Sequence, residues 1–436
     1  MEIRAFRAYR FDESVVGDVG RCIAPPYDVI NSDQQEQFYR KSEHNIIRII
    51  KGKTRPSDNN GDNVYTRAAE YLSRWIQEGA LKQDEREAIY GYVQDFEALG
   101  RRFRRLTFIA LGKLEEFGRI VRPHEQIMHE PTVDRLNLKR ATAARFGLVF
   151  MLYDDEQGVA DAVIEKAAGH EPLIDFVDEN SVRHQIFAII DKGDIDAITE
   201  MMRDKSCIIA DGHHRYTTGL LYSKESPNPA AKYQMLAFTN TRHEGLVVLA
   251  THRVVSNVEA FDFAQLIEKL SKDFELTRYR FDSPQGKSDA REKMLEQMRA
   301  GHDNNRNAFG IYGGDGSFYV AVLKNTEAMD GAAPERSDAW RSLDVSVLHK
   351  LILEQVLGIG EEQLAEGRHL EYVKDNSNAI GELVSKVDAG LKQVVFFMSP
   401  TKVEQIQMVA EHGERMPQKS TYFYPKVYTG LTINKL

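Results

Sequence analysis

The chain has 436 residues, enough for two or three domains, with 42% hydrophobic and 28% charged residues, the balance of a folded globular protein. Lys and Arg number 57 against 66 Asp and Glu, a formal net charge of −9. That excess of acid argues against a surface built to coat nucleic acid, and leaves room for a local basic pocket. Two cysteines, Cys22 and Cys207, can form neither a disulfide framework nor a cysteine zinc site. No window reaches the roughly 18 apolar residues of a membrane span, and MEIRAFRAYRFDES lacks the apolar segment of a signal peptide. A cytoplasmic protein without a membrane partner is the expectation.

In chain order, APPYDVI (24–30) reads as extended because its prolines oppose helix, and Asn31-Ser32-Asp33 offers a helix cap. The β-branched run NIIRIIKG (45–52) predicts a strand. YTRAAEYLSRWIQEG predicts a helix with Ala69, Leu72, Trp75 and Ile76 on one face and Gly79 as its stop. Residues 88–117 predict a hairpin turning at Leu99-Gly100. LTFIALGKL, FGLVFMLY, HQIFAIID and CIIA predict buried strands, with DAVIEKAA and IDAITEMMRD as helices between them. YTTGLLYSKE predicts a further helix, and YQMLAFTN and GLVVLATHRVV predict strands. Beyond residue 257 come a helix (FDFAQLIEKLSKDF), strands at SFYVAVL and QVVFFMSP, an amphipathic helix at SVLHKLILEQVLG, and an extended aromatic tail, 416–433. The fold class is mixed α/β (α+β), in three regions: 1–100, 101–256 and 257–436.

The most informative stretch is CIIADGHHRYT (207–217), an apolar run that breaks into Asp211-Gly212-His213-His214-Arg215. A strand, a glycine turn and a helix start favour an anion. Gly212 allows close backbone approach, Arg215 offers a planar fork for phosphate oxygens, and His213 and His214 can donate or carry a proton. Asp211 could orient an imidazole, hold a metal, or simply cap the helix. In RPHEQIMHE (122–130), His129 lies five residues after His124, so the zincin spacing is absent. A carboxylate beside a histidine, Glu125 beside His124, suits general-base work, although a solvated loop has the same composition. Arg135 and Lys139 share a helix face that could follow phosphate, joined by Arg140 and Arg145, and His252-Arg253 ends a strand as another anion contact. Lys419-Ser420 in the tail could close over a site. No Walker-type loop and no G-x-S-x-G elbow occurs in the sequence.

These segments resemble, nearly end to end, the family known as domain of unknown function 1015. The matching stretches are FRAYR, APPYDVI, NIIRI, W-x-x-E-G-x-L, PHE, DRL-x-L, ADGHHRY, THR, MPQKSTYFYPK and TGL. Ala250 replaces a proline expected before THR, and FGLVF replaces a Ser-Pro-like run. ADGHHRY is also similar to the phosphate-binding box of the ParB/sulfiredoxin superfamily, which includes kinases of free serine that use an upstream glutamate as base. The resemblance implies a ParB/sulfiredoxin-like mixed-sheet core over 101–256. It also implies phosphotransfer to a small hydroxylated metabolite, serine or phosphoserine, with a nucleotide or pyrophosphate as donor and Mg²⁺ accompanying it. Glu125 would then be the base, assisted by His124, Asp211 and His214. Gly212, His213, Arg215, Arg135, His252, Arg253, Lys419 and Ser420 would meet phosphate, and Tyr27 and Asp28 the substrate. A phosphoserine-type phosphatase and a ParB-like nucleotide-sensing or DNA-binding regulator are the alternative readings.

Overall fold

Among the described residues, one hydrophobic core cluster lies in each of two units of a computed structural model. It describes residues 1–125, 129–376 and 378–436, with only the backbone described at 129–131, 365 and 366. The first unit comprises 1–123, 129–247 and 425–436; the second comprises 124, 125 and the described residues of 248–424.

The first unit is built on a nine-stranded mixed sheet. Its strands are β1 (Ile3–Arg4), β2 (Ile89–Ala98), β3 (Arg101–Lys113), β4 (Val121–Pro123), β5 (Val149–Tyr153), β6 (Ile174–Val177), β7 (Arg183–Ile189), β8 (Cys207–Asp211) and β9 (Tyr233–Asn240). They run in the order β4-β8-β5-β9-β3-β2-β7-β6, with β1 also on β3. β4 lies parallel to β8 and β5 parallel to β9; the remaining pairings are antiparallel. β2 and β3 form the expected hairpin, and Leu99 and Gly100 both take positive φ, the backbone that a two-residue turn matched to strand twist requires. Since that hairpin crosses residue 100, segments on either side of the expected boundary there share one sheet.

The helices follow from their caps and apolar spacing. α1 (Ser32–Lys41) starts at a capping box in which Asn31 accepts from the Gln34 N–H. α2 (Val64–Gln77) buries Ala68, Leu72 and Trp75, close to the expected face. α3 (His129–Thr142) packs against both α2 and α6 (His213–Glu225). α4 (Val159–Ala168) and α5 (Lys192–Arg203) add Ile164, Ile198 and Met202 to the core beneath the sheet.

One expectation fails. The strand predicted at 45–52 is instead a short helix, Ile47–Ile50. Buried Asn45 accepts from the Ile47 N–H through Oδ1 at 2.9 Å, which starts the turn. Burial of Ile46, Ile47, Ile49 and Ile50 then overrides the weak strand preference of β-branched residues.

The second unit carries a six-stranded sheet that is antiparallel throughout. Its strands β10 (Thr251–Val255), β11 (Phe274–Arg280), β12 (Ala308–Tyr312), β13 (Ser317–Leu323), β14 (Leu370–Lys374) and β15 (Val394–Phe397) run in the order β11-β13-β12-β15-β10-β14. Met294 and Met298 of one helix (284–303) and Leu383 and Val387 of another (379–388) fill its core. The expected helix at SVLHKLILEQVLG begins as α-helix at Asp344–Val347 and widens to π-helix over Leu348–Glu354, burying Leu348, Leu351, Ile352 and Leu353 and exposing Glu354. Among the described residues no helix is long and apolar enough to cross a membrane.

Candidate functional site

In the first unit the Asp-Gly-His-His-Arg stretch forms the predicted strand, turn and helix. β8 ends at Asp211, Gly212 takes φ +92°, and α6 starts at His213 without a side-chain cap. Arg215, one turn into α6, is buried and folds back across the glycine. A Cβ built on Gly212 would lie 2.9 Å from the Nε and Cζ of Arg215. Glycine suits this position twice over, for its backbone angle and for the space that the guanidinium occupies.

Arg215 Nη2 donates to Asp211 Oδ2 at 2.9 Å, and Arg215 Nη1 donates to the Leu148 carbonyl. Lys426, in the carboxy-terminal segment of the same unit, reaches Asp211 Oδ1 at 3.3 Å. Burial pushes the Asp211 carboxyl up, but Lys426, Arg215 and His213 outweigh it and hold the group well below the usual carboxylate range. Burial likewise opposes the Arg215 charge, and Asp211, Asp28 and Tyr27 overcome it, so Arg215 stays protonated. Tyr27 and Asp28 thus stand in the electrostatic neighbourhood of Arg215. The Arg135 guanidinium sits 4.0 Å from the centre of the Tyr27 ring and donates to Asp134 Oδ2 at 2.8 Å and to the Ile50 carbonyl at 2.6 Å. Tyr27, Arg135 and Arg215 line one pocket with Gly147 and Thr429. His213 is buried, and His214 Nδ1 lies 3.1 Å from Thr132 Oγ1.

The remaining predicted residues belong to the second unit. Glu125 Oε1 accepts from the Lys419 N–H at 2.8 Å. Arg253 is fully buried, donates to the Lys419 carbonyl at 3.0 Å, and stands over the Tyr372 ring at 4.9 Å. Burial lowers the Arg253 guanidinium to about 10 against the pull of Tyr372 and Glu125. His124 is buried, with Nε2 2.9 Å from Thr421 Oγ1. His252 Nδ1 accepts from the Met398 N–H at 3.1 Å, and its Nε2 lies 3.4 Å from Asp375. Ser420 Oγ donates to the Pro417 carbonyl.

Glu125, Arg253 and Lys419 thus come together in one unit, and Tyr27, Asp28, Arg135, Asp211, Gly212 and Arg215 in the other. Sequence reasoning placed Lys426 in the tail that could close over a site, without pairing it to Asp211, and assigned no role to Tyr372. Lys426 stands in the distinctive KSTYFYPK run, the one signal that pointed to it, whereas Tyr372 carries none.

Gly212→Ala is expected to cost about 1–3 kcal/mol in chemical denaturation and to displace Arg215. Gly79→Ala is the control: Gly79 has φ +79° with nothing within 4 Å of its built Cβ, so only the backbone strain should appear.

A mixed α/β protein whose strand-to-helix turn gathers an acid, a left-handed glycine and two cations is the class that this geometry defines. The chain belongs to the family described as "Protein of unknown function (DUF1015)", whose model matches residues 3–346. Among solved structures it is similar to a free serine kinase in complex with AMP, at 15% identity over 72% of this chain and 86% of that one, with a TM-score of 0.35. It is also similar to a conserved hypothetical protein from Pyrococcus furiosus (15%, 73% and 92%, TM-score 0.34). A third similarity is to SbnI with a C-terminal truncation from Staphylococcus aureus (11%, 75% and 87%, TM-score 0.34). No curated protein matches.

Proposed function

We propose that this protein is a phosphotransferase acting on a small hydroxylated metabolite, with free serine or phosphoserine as the first candidates and a nucleotide or pyrophosphate as phosphate partner. The observation that carries the reading is the turn at Asp211–Arg215, where a helix start and a buried guanidinium held in place by Asp211 converge on Gly212. Donors fixed in this way stabilise charge developing on phosphate oxygens without reorganising during the reaction. In this reading the acceptor's hydroxyl proton passes to a carboxylate base, the hydroxyl oxygen bonds to the donor's terminal phosphorus, and the bond from that phosphorus to the leaving phosphate oxygen breaks. Among the described residues no group of three His, Cys, Asp or Glu is placed to hold a metal ion, so Mg²⁺ would travel with the donor phosphates rather than in a protein cage.

The test is phosphorus NMR of the purified protein with Mg²⁺, serine or phosphoserine, and either a nucleoside phosphate or pyrophosphate. Exchange of phosphate between donor and amino acid supports the proposal. Its absence with every pair overturns it, and release of free phosphate without an acceptor would replace transfer with hydrolysis.

A further inference from the structure

Among the described residues, Lys139 and Arg145 of the first unit are buried cations with no ion pair to an acid. Lys139, on α3, and Arg145, in the short strand Ala144–Arg145, are 6% and 3% exposed and line the same pocket as Tyr27 and Arg215. Lys139 Nζ donates to Gln234 Oε1 at 2.9 Å. Arg145 donates to the Ala230 carbonyl at 2.6 Å and to Asn434 Oδ1, while its Nε is buried without a hydrogen-bond partner. Among the described residues neither has a carboxylate within ion-pair distance, although Arg135 and Arg215 each have one, Asp134 and Asp211.

Burying a charge without a counter-charge is costly, and two like charges side by side cost more. Burial and the neighbouring Arg145 together push the Lys139 ammonium well below its usual range, and burial, Arg4 and Tyr222 leave Arg145 at about 9. Local packing offers the pair amides, a carbonyl and the Tyr222 ring, 5.6 Å from Lys139 Nζ, but among the described residues no counter-charge. A ligand bearing two negative charges would neutralise the surplus, and the apolar wall of Ile50, Leu138 and Phe146 suits the uncharged part of a small molecule.

We infer that Lys139, Arg145 and Gln234 form a binding subsite for a compact dianionic group, a phosphate monoester or the dicarboxylate end of a small metabolite. The inference stands apart from the transfer reading, since binding rather than turnover tests it.

The experiment is thermal denaturation and calorimetric titration of the full chain with inorganic phosphate in one arm and malonate in the other, each against chloride at equal ionic strength. The wild type should be stabilised by at least one dianion: a response to phosphate alone assigns a phosphate monoester, and a response to malonate assigns a carboxylate ligand. Lys139→Met should weaken that binding at least tenfold while denaturing in chloride no earlier than the wild type, because it removes one of two like charges. Lys139→Arg, which keeps the charge, should retain the response, and it decides the matter if the methionine variant fails to fold. Absence of any dianion effect on the wild type, or undiminished binding in Lys139→Met, overturns the inference. Failed phosphate exchange with intact, Lys139-dependent dianion binding would remove the transfer reading and leave this subsite standing.

Discussion

Replacing Arg215 with methionine is expected to cost about 3 kcal/mol of stability and at least about a hundredfold in phosphate transfer. The two losses have different origins. Stability falls because Asp211 keeps only the more distant of its two cations, Lys426 at 3.3 Å, and becomes an under-compensated carboxylate. Transfer falls, under the proposed function, because the guanidinium that rests on Gly212 is the group assigned to the phosphate oxygens. The pH dependence separates them. The folded-state pKa of Asp211 is depressed, so its contribution to stability is present above the unfolded carboxylate value of roughly 4 and disappears as pH falls through the folded value. The gap between variant and wild type should therefore be widest at neutral pH and narrow on acidification, as read by urea denaturation at a series of pH values. A gap that does not change with pH would assign the cost to lost packing around the arginine stem instead.

Glu125→Gln is expected to lower transfer by about 10²–10⁴-fold with less than about 1 kcal/mol change in stability. The contrast discriminates because Glu125 already has a structural task, accepting the Lys419 N–H through Oε1. A glutamine oxygen can accept that hydrogen bond but cannot remove a hydroxyl proton. Transfer rates with stopped quench, alongside denaturation midpoints, give both readouts. Near-normal transfer in a stable variant would leave Glu125 as a brace for the Lys419 turn, where a non-glycine residue holds φ +57°.

Local signals carried much of the fold. The Leu99-Gly100 turn and the Asn31 cap were legible because turn and cap chemistry act over two or three residues. The run at 45–52 was misread because a string of isoleucines has the same composition in a strand as in a buried helical turn, and only the packing decides. The acid, glycine and arginine of the turn could be picked out for the same local reason. Lys426 could not, since it meets Asp211 across 215 residues of chain. Nor could the setting of Lys139 and Arg145: their residue types are visible in the sequence, whereas the lack of a neighbouring acid among the described residues belongs to the folded pocket.

The return of residues 425–436 to the first unit has a consequence for biosynthesis. A ribosome delivers Asp211 and Arg215 early, then must make the whole of the second unit before Lys426 emerges to meet them. Asn434, the partner of Arg145, arrives later still. A nascent chain stalled within the second unit therefore holds an acid and an arginine with the second cation missing. The order of synthesis itself keeps this turn incomplete until Lys426 has been translated.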